Sequence, residues 1–136
     1  MTDEQKTLTA YRLERANECL DEARLLMEKG HANTFVNRLY YACFYAVSAL
    51  LLLREASSAK HSGTRSLFHQ MFVKTGAIDI EMGQLYDRLF DNRQKADYSD
   101  FMKFKLDDVR GWLDEAEQFV SRIKAFVDKE LNLKTS

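Results

Sequence analysis

The sequence predicts an all-α protein, an antiparallel up-and-down four-helix bundle with one additional short helix. Three observations predict it. Not one proline occurs in 136 residues, which leaves long helices uninterrupted, because proline breaks helix interiors. Apolar residues recur at three- and four-residue steps over four long stretches, with charges between them. No segment alternates in the manner of a half-buried strand, and the connections between periodic stretches are short. At this length the chain reads as one domain over residues 1–136, large enough to bury a single core.

Thr2 to Lys29 reads as the first helix, with Leu13, Ala16, Leu20, Ala23 and Met27 on its apolar stripe. Gly30 stops it, and the terminal Lys29 suits the negative end of the helix dipole. Asn33 or Thr34 supplies a cap for a second helix running to about Glu55, apolar or aromatic nearly all round from Leu39 to Leu53. Such an element belongs in the centre of a bundle, in a subunit interface, or in both. Residues 56–63 are small and polar and read as a loop. A shorter helix over about Thr64 to Lys74 ends at Gly76. Asp79 then caps a helix to about Lys95, carrying Met82, Leu85, Tyr86, Leu89 and Phe90. A break over Asp97 to Asp100 precedes the last helix, about Lys105 to Leu131, whose stripe holds Val109, Trp112, Leu113, Ala116, Phe119, Val120, Ile123 and Val127. The tail from Asn132 to Ser136 is expected to fray.

Composition narrows the function classes. Twenty basic and 21 acidic residues give a net charge of -1, without the basic footprint of a tight duplex binder, although a local basic cleft remains open. Cys19 and Cys43 show no metal or redox spacing and read as buried reduced thiols. There is no apolar leader, and the run from Ala46 to Leu53 is too short to span a bilayer. A cytoplasmic protein with no membrane partner is expected. No helix carries a di-iron or zinc ligand spacing, no Gly-rich phosphate loop occurs, and no nucleophile sits in a strand-turn-helix context. No metal and no cofactor are expected.

Chemistry concentrates in two blocks, residues 37–46 and 91–98. Each couples an arginine to tyrosines inside an otherwise apolar helical segment. A guanidinium there needs partners. On a helix, Arg38, Tyr41 and Tyr45 share a face. Arg93 and Tyr98 close the fourth helix and open the following loop, and His61 sits in the second loop beside Lys60. Arginine offers a fork of donors suited to phosphate, tyrosine a hydroxyl and a stacking face, and histidine a proton near neutral pH. Gathered in one cleft, these groups would bind a phosphodiester or nucleotide and could assist its cleavage. The same residues also have structural readings. Arg38 could pair with an acid and a carbonyl within the bundle, Asp97 could pair with Arg93 or cap locally, and Tyr40, Phe44 and Val47 read as core. His31, His61 and His69 could be surface or capping residues, and the charge-rich stretch 107–117 a solvated face.

Read together, Asn37-Arg38-Leu39-Tyr40-Tyr41-Ala42-Cys43-Phe44-Tyr45-Ala46, Lys60-His61-Ser62-Gly63, Phe72-Val73-Lys74-Thr75-Gly76 and Arg93-Gln94-Lys95-Ala96-Asp97-Tyr98 resemble a small stand-alone prokaryotic HEPN-domain protein, from about Arg15 to about Val127. The resemblance implies a helical bundle that forms a homodimer. It also implies a minimal nucleotidyltransferase partner of the antitoxin kind, since many members work in two-gene toxin-antitoxin pairs. Many active members are metal-independent RNases whose signature is an arginine, four to six residues, then a histidine, two copies meeting across the dimer. Here Arg93 matches the arginine and Gln94 its polar neighbour, but Tyr98 stands where histidine could, and no histidine follows His69. Tyrosine titrates near 10 and is a poor base at neutral pH. Nucleotide or RNA contacts are therefore expected at Arg38, Tyr41, Lys60, Arg93 and Asp97, and any catalysis at Arg93, Tyr98 and His61. The favoured reading is a protein that binds a nucleotide or single-stranded RNA without cutting it. A metal-independent endoribonuclease and a non-catalytic interaction module are the alternatives.

Overall fold

A computed structural model describes the backbone of residues 1–135 and the side chains of residues 1–132. It is all-helical, with no strand among the described residues. The first helix, α1 (Asp3–Glu28), opens on a capping box. The Thr2 hydroxyl accepts from the Gln5 amide at 3.1 Å, and the Gln5 side chain accepts from the Thr2 amide at 2.9 Å, which satisfies two of the helix's orphan donors. Gly30 takes φ +79°, and the His31 amide returns to the Leu26 carbonyl at 2.9 Å. This left-handed closure reverses the chain within three residues.

Helix α2 (Ala32–Leu52) therefore starts earlier than the expected cap at Asn33 or Thr34. His31 holds the N-cap position without a side-chain bond. The Asn33 amide reaches outward instead, donating to the Met102 carbonyl and accepting from the Phe104 amide, both at 2.8 Å. At the other end α2 stops at Leu52, short of Glu55. Glu55 itself adopts φ +53°, and the Ala56 amide bonds the Leu51 carbonyl at 3.0 Å. The closure matches that at Gly30, with glutamate in the position glycine usually holds.

Helix α3 (His61–Phe68) begins inside the expected loop, with Lys60 at its N-cap. It runs on as a π-helical turn over His69–Val73, and Gly76 at φ +82° turns the chain. Helix α4 (Ile80–Tyr98) follows Asp79, whose carboxylate makes no cap bond and pairs with Arg122. It continues three residues past the expected end, so Arg93, Asp97 and Tyr98 are all helical and the break falls at Ser99. The last expected helix is two, α5 (Leu106–Val109) and α6 (Trp112–Thr135), interrupted at Arg110 and Gly111. Helix α6 continues through Thr135, past the expected end at about Leu131, and Ser136 lies outside the described residues.

Helix α2 occupies the centre. It pairs most extensively with α1, then with α6 and α4, and touches α3 at its side. From Phe35 to Leu51 its apolar side chains are buried, except that Tyr41, Phe44 and Tyr45 are only partly so. By length and composition α2 could cross a bilayer, a property hidden when only the run from Ala46 to Leu53 is read, yet most of its apolar window is buried in the bundle. Cys19 and Cys43 are free and buried, as expected. Burial pushes the Cys43 thiol well above its usual range.

Candidate functional site

The site grows from one face of α2. Tyr40 is fully buried, and a buried tyrosine hydroxyl needs a partner. It finds His61 of α3, whose Nδ1 lies 2.7 Å away. The His61 ring stacks on Phe44 at 4.4 Å with planes 10° apart, and meets Tyr41 edge-on at 5.7 Å. Burial first, and then the charge of Arg93, lower the His61 pKa. The imidazole is therefore neutral at neutral pH. Burial likewise raises Tyr40 to about 12, so its hydroxyl keeps its proton. The buried Tyr86 hydroxyl makes no hydrogen bond of ordinary geometry, yet lies near enough to bear on the acidity of Tyr40.

Arg93 approaches the same tyrosine from α4. It follows Leu89 and Phe90 by four and three residues on the buried face of the helix, and only 9% of it is exposed. Its guanidinium carbon sits 4.7 Å from the centre of the Tyr40 ring and 5.7 Å from that of Tyr41. Nη1 donates to the Tyr41 hydroxyl at 3.4 Å and pairs with Asp97 at 3.3 Å. Nε is buried without a partner. A guanidinium with five donors thus has one half-exposed carboxylate, two aromatic faces and donors to spare.

Arg38 covers the Tyr41 ring at 5.1 Å. Its Nε and Nη2 donate to the adjacent Asn37 side chain at 3.1 and 2.8 Å, and Nη1 meets Glu22 at 3.5 Å. Arg15 of α1 lies over Tyr45 at 5.2 Å and pairs with Glu18. The result is a row of guanidinium-tyrosine contacts along α2, Arg15 with Tyr45, Arg38 with Tyr41, and Arg93 with Tyr41 and Tyr40. Each contact favours the cation through the ring's quadrupole.

Of the residues expected from the sequence, Arg93, His61, Tyr41 and Asp97 gather in this cluster, and Arg38 touches it through Tyr41. Lys60 immediately precedes His61, exposed and without a side-chain partner among the described residues. Tyr98 ends α4 at 82% exposure and makes no hydrogen bond or ring contact with Arg93 or His61. Sequence reasoning assigned Tyr40 to the core, and it is both core and hub. The one available signal was that a tyrosine four residues before Phe44 on a buried helix must satisfy its hydroxyl. His69 lies elsewhere, bonded through Nε2 to Asp87 at 2.9 Å. The described residues contain no cluster of His, Cys, Asp and Glu able to hold a metal ion.

The family model of the HEPN domain matches residues 9–126. The chain belongs to the HEPN-domain family. A HEPN relative from Thermotoga maritima, named "UPF0332 protein", is 40% identical over 126 residues, covering 93% of this chain and 96% of its own length. Two from Methanocaldococcus jannaschii bear the name of toxins. "Putative toxin MJ0605" is 35% identical over 112 residues, 82% of this chain and 83% of its own length. "Putative toxin MJ0142" is 30% identical over 115 residues, 85% of this chain and 78% of its own length. In this HEPN chain an arginine and a histidine do share a site, but the histidine comes from the start of α3. Both contact Tyr40 and Tyr41, with Arg93 near enough to depress the basicity of His61.

Proposed function

We propose that this HEPN chain binds the phosphate of a nucleotide or of single-stranded RNA, with Arg93 and Arg38 as anion anchors and His61 beside them. The observation that carries the reading is Arg93. Its guanidinium is nine-tenths buried, holds a partnerless Nε, and faces a neutral imidazole across two tyrosines. Arginine suits this task because its planar fork matches phosphate oxygens and it stays charged when partly buried. The toxin names of two relatives support a toxin-like role for the chain, and a nucleotidyltransferase partner is what the family resemblance adds to that reading. A thermal-shift titration of wild type and Arg93→Gln with ATP, AMP and a short single-stranded RNA tests the site. A rise in melting temperature in the wild type alone is expected. An equal rise in both proteins would remove the phosphate from Arg93.

Metal-independent RNA cleavage is the second reading, and the meeting of His61 and Arg93 on Tyr40 favours it. In that chemistry the ribose 2′-hydroxyl attacks the adjacent phosphorus and the 5′-oxygen leaves. His61 moves a proton and Arg93 steadies the charge on the phosphoryl oxygens. Products with 2′,3′-cyclic phosphate ends, formed in the presence of a chelator and lost in His61→Gln, are the expected signature. Cleavage surviving in His61→Gln would sink it.

A further inference from the structure

Beside the His61 cluster lies a pocket that the site above does not use. It is a cavity of about 150 Å³ between α1, α2 and the loop before α3, and Arg12 forms part of its wall. Arg12 is half-buried, and its one hydrogen bond runs from Nη1 to the Ser48 carbonyl at 3.1 Å. Each of the other nine arginines, among the described residues, has a carboxylate within 4.0 Å. Arg12 has none. A half-buried cation without a counter-charge is costly, and burial does weaken its hold on its proton. Arg15, one turn along α1, adds a second positive charge nearby and gives its own carboxylate contact to Glu18.

The rest of the wall is mixed, with Phe44, Leu51 and Ala56 apolar and the other residues hydroxyl-bearing. Tyr45, Ser48, Ser57 and Ser58, each of which carries a hydroxyl, are among its lining residues. Ser58 is held there by the first turn of α3. Its Oγ accepts from the Lys60 amide at 3.2 Å, and it fills the space beside Gly63, where a Cβ would lie 2.0 Å from that oxygen. The cavity has room for a phosphate group and little more than a few waters. Phe44 lines the pocket and carries the stacked His61 ring on the same side chain. We propose that the Arg12 pocket is a second phosphate-binding subsite, one guanidinium and a ring of hydroxyls enclosing a single phosphate group. Its role as the neighbouring phosphate of a bound RNA strand rests on the reading of Arg93 given above.

The test uses the full chain with its arginines labelled with nitrogen-15, titrated with inorganic phosphate at constant ionic strength. The Arg12 Nε–H signal is expected to move and saturate. In Ser57→Asp, which places a carboxylate at the pocket wall without touching Arg12, that response is expected to vanish while the fold and the Arg93 signal stay. A signal that does not move, or that drifts without saturation as in a chloride control, overturns the proposal. The source of the phosphate is read with single-stranded RNA. If the pocket takes a backbone phosphate, Arg12→Gln lowers the slope of log affinity against log salt by about 0.7. An unchanged slope beside a saturating phosphate response assigns the pocket to a free phosphate group. RNA affinity that survives Arg93→Gln while the Arg12 signal still saturates with phosphate sinks the Arg93 reading and leaves this one standing.

Discussion

Tyr40 joins a neutral imidazole to a buried cation, so the local pH response has a definite sign. His61 has a lower pKa in the folded chain than the ordinary histidine value near 6.5. The unfolded chain therefore binds more protons as pH falls below about 6.5, and the stability His61 contributes is full above that value and lost on acidification. Urea midpoints taken from pH 7.5 to 5.5 should fall less steeply in His61→Gln than in the wild type, and equal slopes would mean that His61 is not held neutral. The two arginines separate in the same assay. Arg93→Ala opens a void between two tyrosine rings and should cost about 2 kcal/mol or more. Arg38→Ala should cost less, about 1 kcal/mol, because it is more exposed than Arg93 and loses one ring contact, to Tyr41, besides its bonds to the adjacent Asn37 and the exposed Glu22. Much of the Arg93 half was legible in the sequence, since Asp97 lies four residues on and Arg93 repeats the spacing of Leu89 and Phe90. The His61 half was not. A hydrogen bond spanning 21 residues depends on where α3 begins, and a run of serines, alanines and a glycine gives no period from which to read that start.

At the scale of elements, the chain states its helices clearly and their ends poorly. The apolar stripes of α1, α2, α4 and α6 are largely buried where the three- and four-residue steps put them, although Met27, Trp112 and Leu113 are only partly covered. The end of α2 was misread because the left-handed closing residue is Glu55, and glutamate carries no sequence signal for that conformation. Its replacement should help: Glu55→Gly is expected to raise stability by about 0.5–1 kcal/mol, read from the denaturation midpoint. Two other glycines should respond in opposite directions to alanine. Gly83 sits on α4 against the π-helical turn, and a Cβ there would meet His69 Cε1 at 2.9 Å and Val73 at 3.1 Å. Gly83→Ala should therefore lower stability by about 1 kcal/mol or more, overcoming alanine's better helix propensity. Gly111 has open space around it, and Gly111→Ala should be neutral or raise stability by a few tenths of a kcal/mol. The π-helical turn was invisible in the sequence, because its extra residue per turn leaves the apolar spacing of Phe68 and Phe72 intact.

Considering the whole molecule, the apolar surface of α2 that suggested a subunit interface is largely covered by the chain's own helices. We propose that a homodimer of the kind the family resemblance implies uses another face. Tyr98 and Phe101, at 82% and 95% exposure around the end of α4, are the most exposed aromatic residues among those described. Sedimentation at micromolar concentration is expected to show a species of twice 15.9 kDa, reverting to the single mass in Tyr98→Ser with Phe101→Ser. A single mass in the wild type would count against the dimer. The placement of α2 has one more consequence, which concerns synthesis. Of the helices of this bundle only α1 precedes the oily segment on the ribosome, and the wall formed by α4 and α6 follows it. For that interval the nascent polypeptide presents a stretch with the length and greasiness of a bilayer anchor. A chain terminated at residue 60 should accordingly float with lipid vesicles or form aggregates, while the chain carried through all six α-helices does neither.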